Sequence, residues 1–279
     1  MTKEINSIDE IADEYDAIVF DQWGVLHNGT KPYRHAVQTV KKLKGAGHCL
    51  AVLSNSGKRV EANAQRISSF GFELSSFDAL MTGGEAFATD VLDRKVAEQK
   101  FFVIGRSTED ITEFASGLNL QLTTDIKDCE AILLMGLPDG SSITEWESVL
   151  SQALKRKITA YCTNLDRKSP RSGGKQVNQP GTLAFDYQKK GGVTVFYGKP
   201  YELIFKRLEF ILNANRLLLV GDSLETDIAG GFAAGWDTLL VKCGIHAQRF
   251  LGNDPKSVLT TLSSELSCPN PTYMIDELR

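Results

Sequence analysis

The stretch Asp16-Ala-Ile-Val-Phe-Asp21-Gln-Trp23-Gly-Val-Leu26 decides the reading of this chain. Its apolar run, residues 17–20, shows no polar alternation, which describes a strand covered on both faces, as strands of a parallel α/β sheet are. The residue that closes such a strand lies in the crevice where open α/β sheets bind ligands. Here that residue is Asp21, and two places on stands a tryptophan, Trp23.

Working outward, three further segments read as buried strands ending in polar residues. They are Leu50-Ala-Val-Leu53 before Ser54-Asn55-Ser56, Val193-Thr-Val-Phe-Tyr197 before Gly198-Lys199-Pro200, and Leu217-Leu-Leu-Val220 before Gly221-Asp222. Four polar clusters are therefore expected on one sheet edge: the Asp21 carboxylate as nucleophile, the Ser54 hydroxyl with the Asn55 amide, the Lys199 ammonium, and the carboxylates of Asp222 and Asp227. Hard oxygen ligands suit Mg²⁺. Ammonium and hydroxyl donors suit the charge on a transferring phosphoryl group.

Around these strands the chain alternates helix and strand. Ser7-Ile-Asp-Glu10 has the form of a capping box and predicts a short first helix. Apolar residues at Ala36, Val37, Val40 and Leu43 predict a helix over 33–46 that stops at Gly45 and Gly47, giving a βαβ unit with a right-handed crossover. From Thr82 the rhythm restarts, with helices at 85–96, from 108 and at 143–154, and strands at 101–104, 131–134 and 158–161. The expected fold class is α/β: a Rossmann-like parallel-sheet core made of residues 1–81 and 191–279, with an inserted α/β cap at residues 82–190. The helix near 182–190 fits either lobe. Gly231 and Gly235 suggest a helix packed closely on the sheet.

Composition narrows the function classes. In 279 residues, 42% apolar and 24% charged residues describe a globular protein, and the net charge of −4 lacks the basic footprint that nucleic acid or anionic membrane requires. A phosphorylated substrate would be repelled overall, so Lys199 and a bound metal must reverse the local field. The five cysteines are scattered without metal-type spacing and read as buried thiols of a reducing compartment. No basic-then-apolar leader and no membrane-length apolar run is present, so the cytoplasm is expected.

The ordered set Asp21-x-Trp-Gly-Val-Leu, Ser54-Asn55, Gly198-Lys199-Pro200 and Gly221-Asp222-Ser-x-x-x-Asp227 resembles the haloacid dehalogenase (HAD) superfamily, and the long insertion resembles its class IIA branch of sugar, nucleotide and pyridoxal phosphate phosphatases. The resemblance implies an aspartyl-phosphate intermediate on Asp21. It implies Mg²⁺ held by Asp21, the Trp23 backbone carbonyl and Asp222, with Asp227 in support. Lys199 and Ser54 would steady the phosphoryl group. Cys162-Thr-Asn-Leu-Asp166 is similar to a Thr-Asn-Pro-Asp stretch of such caps, with Leu165 in place of proline, which makes Asn164 and Asp166 candidate substrate-binding residues beside Asn55.

Trp23 departs from the pattern, because phosphatases of this family carry there an Asp that protonates the leaving oxygen and later activates water. Indole only donates. Losing general acid/base help costs about 10² to 10⁴ in rate. His27 is the nearest titratable candidate to stand in, the alternative being a surface histidine in a His-Asn-Gly turn. Arg167, Lys168, Arg171 and Lys175 form a basic loop that either holds a second anionic group or is simply solvated. The leading reading is a Mg²⁺-dependent phosphatase for a small phosphorylated metabolite, a sugar phosphate or nucleotide, slow on poor leaving groups. The competing one is a phosphate-ester-binding or phospho-accepting regulatory module with little turnover. Chemistry at carbon is disfavoured by Asp222 and Asp227, and a homodimer is left open.

Overall fold

Ala17–Phe20 is buried at every position and lies inside a sheet. The computed structural model describes residues 2–170 and 176–279. In chain order the strands begin with β1 (Lys3–Glu4), β2 (Ala17–Phe20), β3 (Cys49–Ser54) and β4 (Ala79–Thr82). There follow β5 (Lys100–Ile104), β6 (Gln121–Thr123), β7 (Ala131–Leu134), β8 (Thr159–Cys162), β9 (Lys168–Pro170), β10 (Gln176–Asn178) and β11 (Thr194–Phe196). The last are β12 (Leu217–Gly221), β13 (Asp237–Val241) and β14 (Tyr273–Ile275). Two units result, one made of Met1–Ser54, Ala64–Met81 and Lys199–Arg279, the other of Asn55–Asn63 and Thr82–Gly198.

The first unit is built on a seven-stranded sheet of order β1-β14-β13-β12-β2-β3-β4, with parallel pairing from β1 through β3. Side chains alternate between faces along each strand. One face sends Ile18, Phe20, Leu50, Val52, Leu218 and Val220 into a core closed by Val40 and Leu43 of helix Ala36–Gly45. The other sends Leu240 and Met274 against Leu224, Ile228, Leu259 and Leu262. Covered on both faces, the strands carry unbroken apolar runs. Phe20 pairs with Val220 on one side and Val52 on the other, so the ends of β2, β3 and β12 lie side by side, with β12 running on to Gly221 and β3 to Ser54.

The second unit has a parallel five-stranded sheet, β11-β8-β7-β5-β6, and a small antiparallel pair, β9 with β10. This corrects the expectation that the core resumes at Gly191. The strand at 193–197 pairs with β8, and the second unit extends to Gly198 and takes in Asn55–Asn63. Its β-branched composition specifies a strand without specifying which sheet receives it. Helix Pro180–Lys189, which fitted either lobe, buries Leu183, Ala184 and Tyr187 in the second unit's core.

Smaller differences have equally local causes. The Ser7/Glu10 capping box forms, yet it opens two 3₁₀ turns, Ile8–Glu10 and Ala12–Glu14, in place of an α-helix. Gly231 packs as expected, since a Cβ there would fall 2.6 Å from Thr238 Cγ2. Gly235 instead ends the helix in the left-handed conformation, φ +79°. Among the described residues, no helix is long and apolar enough to cross a membrane.

Candidate active site

Because β2 and β12 are paired neighbours, the residues just beyond them meet. The carboxylates of Asp21, Asp222 and Asp227 each offer an oxygen within 4.8 Å of the others. Asp21 follows β2 directly, and its amide donates to Val220 O at 2.8 Å. Asp227 lies in a π-helical turn, Leu224–Ile228, capped by Ser223, and accepts from the amides of Asp222 (3.1 Å) and Ser223 (3.0 Å). Such turns recur at functional sites because they re-aim a side chain without ending the helix. A Cβ at Gly221 would fall 2.2 Å from Asp227 Cβ, so only glycine lets the turn fold back this tightly.

Lys199 is 1% exposed and places its ammonium 2.6 Å from Asp21 Oδ1, 2.7 Å from Asp227 Oδ1 and 2.9 Å from Leu53 O, to which it donates. Burial alone would lower its pKa, but the two carboxylates more than reverse this and hold it charged. Burial pushes the Asp21 carboxyl up to about 7 against the pull of Lys199, and Asp227 adds to the rise. Asp222 is raised well above the ordinary carboxylate range by burial, then by Asp21 and Asp227.

If all three carboxylates ionise, as a bound cation would favour, the one ammonium leaves a surplus of two negative charges. An all-oxygen donor set carrying that surplus fits a small divalent cation, with Mg²⁺ as the natural occupant. Space is tailored to the donors as well, because a Cβ at Gly24 or Gly244 would fall 1.9 Å or 2.1 Å from Asp222 Oδ2.

Of the other expected residues, Ser54 closes β3 and is buried, two positions beyond Val52, the partner of Phe20. Trp23 lies in the turn after β2, its indole against the backbone of Gly29, where a Cβ would meet Cη2 at 2.1 Å. The Arg66 guanidinium sits 4.7 Å from the ring centroid. His27 is a correction to both readings offered for it. It is fully buried, tilted against Phe70 with ring centroids 4.3 Å apart and edge-on to Trp23, and its Nδ1 accepts from the Gly29 amide at 3.0 Å. Burial lowers its pKa to about 3, so it stays a neutral packing residue of the turn.

Asn55, Asn164 and Asp166 come together within the second unit. Asn55 Nδ2 donates to Asp166 Oδ1 at 3.1 Å, and the Asp166 amide donates to Asn164 Oδ1 at 3.2 Å. Leu165 between them is buried in that unit's core. Arg167 stacks over Phe185 at 4.5 Å and Lys168 opens β9, whereas Arg171 and Lys175 lie outside the described residues. Sequence reasoning missed Arg66, which only tertiary contact brings to Trp23, and the Gly244-Ile245 turn after β13.

The comparisons agree with this geometry. Residues 18–121 match the family model described as haloacid dehalogenase-like hydrolase, and residues 196–265 match a HAD-hydrolase-like model. The chain is 27% identical over 272 residues to the 5'-nucleotidase YutF of Bacillus subtilis, covering 95% of this chain and 96% of that one. A haloacid dehalogenase-like hydrolase from Brucella suis superposes with a TM-score of 0.82 at 23% identity, covering 99% of this chain and all of the other. The glycerol phosphate phosphatase of Mycobacterium tuberculosis, in complex with magnesium, gives a TM-score of 0.70 at 22% identity, over 100% of this chain and 78% of that one. With the motifs in order and the carboxylates and lysine gathered at the strand ends, the chain belongs to the haloacid dehalogenase-like hydrolases.

Proposed function

We propose that this enzyme is a Mg²⁺-dependent phosphoric monoester hydrolase acting on a small phosphorylated metabolite, a sugar phosphate or nucleotide, through an aspartyl phosphate on Asp21. The observation that carries the reading is the buried set of three carboxylates, Asp21, Asp222 and Asp227, gathered around the Lys199 ammonium. The relatives' activities, a 5'-nucleotidase and a glycerol phosphate phosphatase, support the substrate class.

Asp21, Asp222 and the Trp23 carbonyl would hold Mg²⁺, with Asp227 beside them, and the bound ion would draw charge from the phosphoryl oxygens. Lys199 draws Asp21 toward its ionised form against the pull of burial and stands beside the phosphoryl charge. An Asp21 oxygen attacks phosphorus, the P–O bond to the leaving group breaks, and the leaving oxygen departs with the bonding pair. Water then cleaves the acyl phosphate, releasing inorganic phosphate and restoring Asp21. Ser54 donates to a phosphoryl oxygen. Asn55, Asn164 and Asp166 are assigned to substrate recognition on the second unit, and the reducing cytoplasm suits five free cysteines.

Trp23 lacks the acid/base capacity the first step requires for a poor leaving group, and His27 is held neutral inside the turn. Aryl and acyl phosphates should therefore outrun alkyl esters, and phospho-Asp21 should persist. Assay of p-nitrophenyl phosphate and a sugar phosphate with Mg²⁺ tests the reading, with Asp21→Asn as blank. Equal rates on both would refute the missing acid, and no Asp21-dependent phosphate release would refute the hydrolase.

A further inference from the structure

Asp222 is enclosed from two sides by loops that belong to other strands. β12 lies between β2 and β13 in the sheet. The loop after β2 brings Gly24 against the Asp222 carboxylate, and the loop after β13 brings Gly244 against it. A Cβ would lie 1.9 Å from Oδ2 in the first case and 2.1 Å in the second. The two loops touch each other, Cys243 Sγ lying 3.9 Å from Gly24 O. Next to Gly244, the Ile245 amide donates to Asp222 Oδ2 at 2.7 Å, a short charge-assisted bond. Oδ1 carries no hydrogen bond among the described residues.

We infer that the Gly244-Ile245 turn is the positioning device for Asp222: it fixes Oδ2 through the Ile245 amide and, because Gly244 carries no side chain, lets the carboxylate keep its place in the cluster with Asp21 and Asp227, with Oδ1 left for the ion. The inference rests on the metal-dependent reading of the site and adds residues that touch neither substrate nor ion. Holding a ligating carboxylate by its second oxygen removes rotamer freedom that a metal would otherwise have to freeze on binding. Gly244 is also a cleaner probe than Gly24. Gly24 has φ +84°, where any side chain is strained, whereas Gly244 is outside the left-handed region, so an added methyl there acts through the collision with Asp222.

The test is Mn²⁺ binding to the full-length protein, read by electron paramagnetic resonance of the free ion, for wild type, Gly244→Ala and Ile245→Pro. Proline deletes the amide hydrogen while changing a side chain that is 52% exposed. Both variants should weaken Mn²⁺ about 10- to 100-fold, the range for loss of groups that orient metal ligands. The Mg²⁺ concentration for half-maximal p-nitrophenyl phosphate hydrolysis should rise in parallel, with most of kcat recovered at saturating Mg²⁺. Binding is compared below each variant's unfolding midpoint in EDTA, so lost folding cannot imitate lost affinity. Wild-type Mn²⁺ affinity in a folded variant of either kind overturns the inference while leaving the hydrolase reading intact. Tight wild-type binding that both variants lose, in a protein that hydrolyses no phosphate ester, supports the positioning role and sinks the proposed function instead.

Discussion

Two parallel sheets with helices on their faces make up this molecule, and they differ in what stands beyond their strands. The first unit gathers Asp21, Asp222, Asp227 and Lys199 there, none more than 8% exposed. In the second, β5 runs into Gly105, β7 into Met135-Gly136 and β8 into the buried Thr163, whose amide is spent on Leu134 O. Its interior is an aromatic cluster of Phe87, Phe101, Tyr161 and Tyr197, with ring centroids 5.4–6.3 Å apart. The buried carboxylate it does contain, Asp90, is matched by the Tyr197 hydroxyl at 2.8 Å and by Lys95 at 3.5 Å. Architecture is thus common to both units, and among the described residues it is the first that gathers three carboxylates around one ammonium.

Removing the proposed nucleophile should break this contrast most completely. Asp21→Asn is expected to lower phosphate ester hydrolysis on the order of 10⁴-fold or more, since residues acting as one covalent unit fail together. A steady-state assay with Mg²⁺ decides it, and residual activity near wild type would move the chemistry elsewhere. Next in size is the cost of unbalancing the site further. Lys199→Met leaves Asp21 and Asp227 without their counterion, and breaking a buried pair from one side costs about 3–5 kcal/mol. Urea unfolding in EDTA measures it. The exposed Arg106–Asp139 pair of the second unit, 3.1 Å apart, is the control, with less than about 1 kcal/mol expected for Arg106→Met.

Trp23→Asp sharpens the comparison by supplying the acid that the proposed mechanism lacks. Hydrolysis of alkyl phosphates should rise about 10²-fold, the lower range of general acid catalysis, with little change on aryl phosphates. The ratio of the two rates is the measurement. An unchanged ratio would mean that the aspartate is misplaced without the indole's seat on Gly29 and Arg66, or that acid catalysis was never limiting.

How much of this could be read from the chain depends on the range of the contacts. Asp21 and Asp222 were legible because each ends an apolar run whose length and composition specify a buried strand, and pairing of β2 with β12 then brings them together. Lys199 was legible as a residue and misread in context, since the strand before it joins β8 in the other sheet. Strands of two or three residues, such as β1, β6 and β14, are too short to show a period. His27 looked like a turn histidine because its burial comes from Phe70, far along the chain. The Gly244-Ile245 grip on Asp222 exists only through strand order, which local sequence does not encode.

The smallest expected effect concerns a charge that the second unit balances well. Glu85 accepts from Arg59 at 2.6 and 3.0 Å and from the Val60 amide at 3.2 Å. Burial pulls its carboxyl upward, but the Arg59 and Val60 hydrogen bonds win and hold it below the usual range. The folded state therefore favours the ionised form. Its stabilisation is complete above the unfolded carboxyl pKa, about 4.3, and fades as pH falls through the lower folded value. Glu85→Gln should cost about 1.5–3 kcal/mol at pH 7, the range for hydrogen bonds to a charged group, and leave hydrolysis unchanged. Urea unfolding of both proteins at pH 7 and again at pH 3 should show the gap closing in acid. A gap that holds constant with pH would mean that the Glu85 carboxylate contributes shape to this unit and no charge.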